Sequence, residues 1–340
     1  MGIQKKKDNH GLIFIILWVD DVVLIAENQH LIFHFIKHMS KVFKVKDLGP
    51  LKQFLGIEFR CTSDSVQMSQ TSYTEQILER FGMTHCNSTK LPCVKNIHDE
   101  LRANEHCTKL DRRQTTKYRE LVGSLIYLEQ VTRPDLSYIV NILGQHMHEP
   151  TSAHWNLGTK VLKYLKYSKD FSINYFKSEE LKLFGYCDAD YANMPNRKSQ
   201  SGYIFYLNSL SSPISWSSRK QRLVATSTTN AEYIALSEAC CEALYLQKLL
   251  SDLNLNINYY PTEIYCDNTS ALSLAHNPEN HRRSKHIDVK YHHVRNHVEL
   301  GDIILSHVKS QFNLADGFTK SLPNNLFQFF MKNLHKGTYG

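Results

Sequence analysis

Long hydrophobic runs are lacking. The apolar stretch Leu12 to Val19 follows Lys5-Lys6-Lys7 but stops at Asp20-Asp21, with no small-residue cleavage site after it. It is too short to cross a bilayer and lacks the end of a secretory leader. A buried strand is the better expectation, with no membrane as a partner. Regular cysteine spacing is lacking too. The 8 cysteines are scattered, and Cys240 and Cys241 adjoin inside a helix-like stretch. That is awkward for a disulfide framework and points to a reduced, intracellular setting. No charge sign dominates. The net charge of +7 suits a polyanionic partner without proving one. Hydrophobic content of 42% argues for a packed core rather than disorder, and 340 residues for two or three domains.

Along the chain, Leu12 to Leu17 and Val22 to Ala26 read as a hairpin with acids at its turn. A helical pattern spans Asn28 to Phe43, then strands at Phe54 to Phe59 and Val66 to Ser69, then a helix from Ser72 that Gly82 ends. Residues 84–114 look like a polar linker. Helices follow, one of them opening at Thr132-Arg133-Pro134-Asp135 with Pro in its first turn. From Phe171 the pattern turns to strands at 171–176, 181–188, 202–207 and 214–218. A long helix Ala231 to Leu250, a strand Thr262 to Cys266, a short helix, a basic helix Ser284 to Glu299 and a strand Ile303 to Val308 complete it. The class is α/β (α+β), with a mixed five-stranded sheet in the C-terminal half.

Four carboxylates stand out there. In Leu183-Phe184-Gly185-Tyr186-Cys187-Asp188-Ala189-Asp190 an apolar strand ends in two acids on one face. Glu232, Asp267 and Asp316 fall on a helix start, a second strand end and a last helix. Acids from separate elements are what a two-metal phosphodiesterase site requires, because no single element can aim four at one spot. Each also has a structural alternative. Asp188 and Asp190 could end a strand at a solvent edge. Glu232 could be the N3 member of a capping box with Thr229. Asp267-Asn268 could be a turn or an N-cap, and Asp316 a charge at a helix start.

The chain resembles, over residues 11–325, the C-terminal part of the Pol polyprotein of copia-type retrotransposons. The resemblance is carried by Trp18-Val19-Asp20-Asp21, Phe54-Leu55-Gly56-Ile57, Thr132-Arg133-Pro134-Asp135-Leu136 and Gly185-Tyr186-Cys187-Asp188-Ala189-Asp190. It continues in Arg197-Lys198-Ser199-Gln200-Ser201-Gly202-Tyr203, Ala231-Glu232-Tyr233-Ile234-Ala235-Leu236, Tyr265-Cys266-Asp267-Asn268 and Leu314-Ala315-Asp316. It implies a reverse-transcriptase palm and thumb remnant over 11–95, a helical connection over 96–170 and a ribonuclease H-like domain over 171–325. It also implies cleavage of the RNA strand of an RNA/DNA hybrid, with two Mg²⁺ ions (Mn²⁺ as substitute) held by Asp188, Glu232, Asp267 and Asp316. Asp188 would be shared by both ions. The implied location is intracellular, in cytoplasmic virus-like particles or the nucleus. Gly317 departs from the family's bulky apolar residue, which would loosen the first turn by about 1 kcal/mol against alanine.

Asp20 and Asp21 match the family's polymerase metal pair. The resemblance also calls for a third carboxylate on an earlier strand and for fingers, and 19 preceding residues leave room for neither. The pair is expected to be vestigial. Arg282, Arg283, Lys285, Lys290 and Arg295 are expected to meet phosphates, with Asn268 and Gln200 as candidate readers of the hybrid. His286, His293 and His297 share one helical face, and His307 lies near Asp316 in sequence. The competing reading is a non-catalytic nucleic-acid-binding remnant of a degenerate element copy. The sequence leaves the oligomeric state open.

Overall fold

The computed structural model describes residues 2–8, 11–93, 97–103, 106–253, 261–276 and 285–337, without the side chains of 2–8, 103, 195, 285–289 and 291. The chain opens with β1 (Gly2–Asp8), β2 (Gly11–Trp18) and β3 (Asp21–Ala26), an antiparallel sheet in that order, and α1 (Gln29–Met39). Asn28 caps α1 by accepting the Leu31 N–H at 3.1 Å. The expectation of a buried strand here needs correction. Only Ile13 of β2 is buried, whereas Leu17, Trp18, Val22 and Ile25 are exposed. An apolar run reports a preference for burial, and burial also needs neighbours to cover both faces.

Three short strands follow, β4 (Gln53–Phe54), β5 (Ile57–Cys61) and β6 (Ser65–Ser69), then α2 (Thr71–Arg80). The expected linker contains α3 (Ile97–Ala103) and leads into α4 (Arg112–Val131). Asp111 starts α4 with a reciprocal capping box, accepting from Gln114 N–H at 2.8 Å while the Gln114 side chain accepts from Asp111 N–H at 3.0 Å. After a 3-10 turn at Pro134–Leu136 come α5 (Ser137–Gly144) and α6 (Ser152–Tyr167). The next strand, β7 (Ser172–Phe176), pairs antiparallel with β6 and closes the sheet β4-β5-β6-β7. It does not join the C-terminal sheet that follows it in sequence.

That sheet contains β8 (Phe184–Asp190), β9 (Gln200–Tyr206) and β10 (Ser215–Lys220). Then come α7 (Thr228–Asp252), β11 (Thr262–Cys266), α8 (Thr269–His276), α9 (Lys285–Glu299) and β12 (Ile303–His307). The order is β10-β9-β8-β11-β12, with the first three antiparallel and β11 and β12 parallel to β8. This is the mixed ribonuclease H-like sheet expected. Period-2 alternation divides its faces. Cys187, Ala189, Tyr203 and Phe205 pack with α7 and α8, while Ile204 and Tyr206 pack into a second core with α2, α4, α5 and α6. Gly185 is required where it stands, since a Cβ would lie 2.4 Å from the Phe205 ring and 2.8 Å from the Ile204 carbonyl.

The chain ends in a 3-10 turn, Leu314–Phe318, and α10 (Asn324–Leu334). Phe327, Phe330, Met331 and Leu334 of α10 are buried in the second core with the connection helices. Gly317 gains a different meaning here. A Cβ on it would lie 2.5 Å from the buried Phe330 ring, so α10 fills the space that a side chain would need. Gly317→Ala should therefore cost about 1–3 kcal/mol through overpacking, where the helix propensity of alanine alone would stabilise. A lower urea midpoint confirms this, and an unchanged or higher one refutes it.

Candidate metal centre

Asp188 lies near the end of the central strand β8 and is 3% exposed. The 3-10 turn carrying Asp316 is fastened to that strand. Asn313 Nδ2 donates to the Cys187 carbonyl at 3.0 Å, while its Oδ1 accepts from Ala315 N–H at 3.1 Å. Thr319 Oγ1 donates to Asp188 Oδ2. Asp267 follows β11, the parallel neighbour of β8, so Asp188 and Asp267 emerge side by side at one sheet edge. One oxygen each of Asp188, Asp267 and Asp316 lie within 4.8 Å of one another.

Glu232 arrives from α7. The capping-box alternative fails, because the helix begins earlier than the sequence suggests. Ser227 is its N-cap, accepting from Asn230 N–H at 3.2 Å, which leaves Glu232 in the second turn with no capping role. Glu232, Cys266 and Asp267 form a second cluster with ligand atoms within 4.8 Å. The four acids thus converge from a strand, a helix, a second strand end and a 3-10 turn. Asp267, rather than Asp188, belongs to both clusters.

The electrostatics suit a cation. Glu232 Oε2 and Asp316 Oδ1 are buried and find no hydrogen-bond partner among the described residues. Burial, then the Asp188 charge, push the Glu232 carboxyl up to about 10. The same two causes push Asp316 up to about 7, and burial raises Asp188. Lys320 is the residue that sequence reasoning missed. Its Nζ lies 3.0 Å from Asp316 Oδ2 and 4.0 Å from Asp188 Oδ2. Burial works against its charge, but Asp188 and Asp316 outweigh that and hold it protonated. The available signal was its spacing of four from Asp316, which puts the two side chains one turn apart.

One consequence concerns pH. Without metal, folded Glu232 keeps a proton that the unfolded chain releases above its ordinary value of 4.5. The folded state then binds more protons than the unfolded one, so stability falls as pH rises toward about 10. Glu232→Gln removes this loss, and its amide can donate to the neighbouring carboxylates. In chelator, its melting temperature should gain on that of wild type by on the order of 3 °C between about pH 5 and about pH 9. Parallel melting curves across that range refute it.

Other expected residues are placed differently. Asp20 and Asp21 sit exposed at the β2–β3 turn, next to Val19 at φ 52°, and join neither acidic cluster of the described residues. Arg295 is not a surface cation. It is buried, and its guanidinium donates to the Leu274 carbonyl at 2.9 and 3.2 Å, holding α9 on α8. Lys290 is half-buried, 3.8 Å from Glu238. Arg282 and Arg283 lie outside the described residues, as do the side chains of Lys285 and His286. His297 Nδ1 is 2.8 Å from Asp302 and its ring meets that of His293, while His307 is exposed at the end of β12. Asn268 caps α8, its Oδ1 accepting from Ala271 N–H at 2.9 Å. Gln200 is fully buried and donates to Ser218 Oγ at 2.8 Å, so it cannot reach a hybrid.

A family model described as reverse transcriptase (RNA-dependent DNA polymerase) matches residues 1–95. The retrovirus-related Pol polyprotein from transposon RE2 of Arabidopsis thaliana is 39% identical over 95% of this chain, which covers 22% of that protein. The corresponding polyprotein from transposon TNT 1-94 of Nicotiana tabacum is 34% identical over 95% of this chain, covering 24% of it. This chain therefore spans less than a quarter of the length of these relatives. Among solved structures, the foamy viral protease-reverse transcriptase in complex with RNA/DNA hybrid aligns with 91% of this chain and 36% of that one, at TM-score 0.49 and 14% identity. Among the described residues no helix is long and apolar enough to cross a membrane.

Proposed function

Because this chain belongs to the Pol polyproteins of copia-type retrotransposons, as a segment with a reverse-transcriptase part and a ribonuclease H-like part, we propose that its C-terminal sheet hydrolyses the RNA strand of RNA/DNA hybrids. The carrying observation is the convergence of Asp188, Glu232, Asp267 and Asp316, with Glu232 Oε2 and Asp316 Oδ1 buried and unpartnered. Unpaired buried carboxylates are costly. Divalent cations remove that cost, and an all-oxygen set suits Mg²⁺ or Mn²⁺. The donor set therefore fits the metals that the family implies. Bound there, two such ions would activate the attacking water and hold the departing oxygen.

The protein's own contribution is position. Asn313 and Thr319 fix the Asp316 turn against β8, and Thr319 orients the Asp188 carboxylate. Lys320 supplies a positive charge beside Asp188 and Asp316, which lowers their mutual repulsion before metal arrives. Phosphate contacts fall to cations other than the buried Arg295. We assign Asp20 and Asp21 no part in this reaction, since they join neither acidic cluster of the described residues.

The test is Mg²⁺-dependent cleavage of the RNA strand of a labelled hybrid by the full chain. Product from the hybrid, and none from single-stranded RNA, is expected. Hybrid binding without cleavage at any Mg²⁺ or Mn²⁺ concentration would instead establish a non-catalytic binding remnant.

A further inference from the structure

We infer that Glu232, Cys266 and Asp267 form a thiolate-containing site for Zn²⁺ or a similarly soft divalent cation, and that its occupation withdraws two carboxylates from the Mg²⁺ set. The inference rests on the proposed catalytic role of those carboxylates only in its second half. The site itself stands on geometry.

One ligand atom of each residue lies within 4.8 Å of the other two. A cation bonded at about 2.0–2.3 Å to sulfur and oxygen requires ligands at such separations. Cys266 is fully buried and Glu232 is 5% exposed, and Glu232 Oε2 has no partner among the described residues. The surroundings of the sulfur are those of a thiolate ligand. Asn268 N–H points at Cys266 Sγ from 3.5 Å. That N–H donates toward the sulfur, as outer-shell donors do around metal-bound cysteine.

Two strands produce this arrangement. β8 and β11 run parallel with Tyr186 opposite Tyr265, so the next residues, Cys187 and Cys266, are neighbours. Asp188 follows Cys187 within β8, and Asp267 follows Cys266 just past the end of β11. Each metal-binding aspartate is thus preceded by a buried cysteine. Glu232 reaches the same edge from α7. Binding is a simple exchange in which the metal ion replaces the Cys266 thiol proton and the proton that buried Glu232 holds without metal; both protons leave to solvent, and no electron is transferred. Three protein ligands leave a fourth tetrahedral position for water. Sulfur disfavours Mg²⁺ and favours Zn²⁺ and Co²⁺, so the site discriminates by ligand softness.

Co²⁺ is the probe, added to the full metal-free chain under reducing conditions. A thiolate-to-cobalt charge-transfer band in the near ultraviolet is expected. Cys266→Ser should abolish it or weaken Co²⁺ affinity at least about tenfold, while Cys241→Ser, at an exposed cysteine, should keep it. Asp267→Asn, at a half-buried position, should also weaken binding about tenfold and decides the matter if Cys266→Ser fails to fold by near-ultraviolet circular dichroism. In wild type, Zn²⁺ should inhibit hybrid cleavage against excess Mg²⁺. No band in wild type, or an undiminished band in folded Cys266→Ser, overturns the site. A band in a protein that never cleaves hybrids upholds the site and removes only the catalytic reading.

Discussion

Asp188→Asn should reduce Mg²⁺-dependent hybrid cleavage by about 10³-fold or more and, in chelator, make the protein more stable. The two effects have one cause. Asp188 is 3% exposed, and burial together with the Asp267 charge raises its carboxyl. In the metal-free fold its charge is a liability that Lys320, 4.0 Å away, relieves only in part. Asparagine has nearly the same shape and still accepts from Thr319, so the fold keeps the hydrogen bond and loses the repulsion. A gain of about 1 kcal/mol, or roughly 2–4 °C in melting temperature, is expected without metal. With Mg²⁺ the order reverses. Wild type gains stability because the ion binds only the folded state, and the variant, short of one charged ligand, gains much less. Cleavage assays and paired melting curves, with chelator and with Mg²⁺, check both halves. Equal cleavage by the two proteins sinks the catalytic assignment. A metal-free variant less stable than wild type sinks the electrostatic account of the site.

Part of this site was legible in the sequence because two of its acids come at the ends of apolar strands, where pattern and chemistry coincide. Asp188 and Asp267 were legible as strand ends, and the order of elements was legible from periodicity. What remained hidden depends on contacts distant in sequence. β7 has the pattern of a strand, but it pairs with β6 and not β8, while the Ser211 and Ser212 hydroxyls accept from its Phe176 and Asn174 N–H at 2.9 Å. The residues 229–232 satisfy a capping-box pattern, yet Ser227 takes the cap two residues earlier. Arg295 has the composition of a phosphate contact and is buried under the end of α8. Gly317 reads as a weak helix start until Phe330 is seen against it. Composition and period report what a residue prefers, and only packing decides which preference is met.

Asp135→Ala should destabilise the protein by about 3–5 kcal/mol, the largest loss expected from a change outside the metal centre. Asp135 and Arg133 are side by side and almost without solvent exposure. Arg133 donates to both Asp135 oxygens, at 3.0 and 2.7 Å, and to the Ser168 carbonyl and hydroxyl at 3.1 and 2.6 Å. Its guanidinium lies 5.5 Å from the ring centroids of Tyr164 and Phe171. Tyr164 donates to Asp135 at 2.7 Å, and His335 bridges Asp135 and the Ser172 carbonyl at 3.2 and 2.9 Å. Burial raises the Asp135 carboxyl, but Arg133, first among its partners, overcomes this and holds it well below the usual range. One carboxylate thereby joins the 3-10 turn after α4, the end of α6, the start of β7 and the end of α10. Removing it leaves the Arg133 charge buried without a counter-ion. Replacing both charges, as in Arg133→Met with Asp135→Leu, should recover most of the loss, because an apolar pair incurs no desolvation cost. The damage should also reach the metal centre. α10 carries Phe330, which packs on Gly317 beside Asp316, so a loosened α10 frees the turn that aims Asp316 at Asp188. Mg²⁺-induced stabilisation of Asp135→Ala should therefore be weaker than in wild type. Urea unfolding of the single and double variants, with and without Mg²⁺, measures all of this. A loss under about 1 kcal/mol for Asp135→Ala, or a double variant no better than the single, would show that the network does not carry the joint between the helices and the sheet.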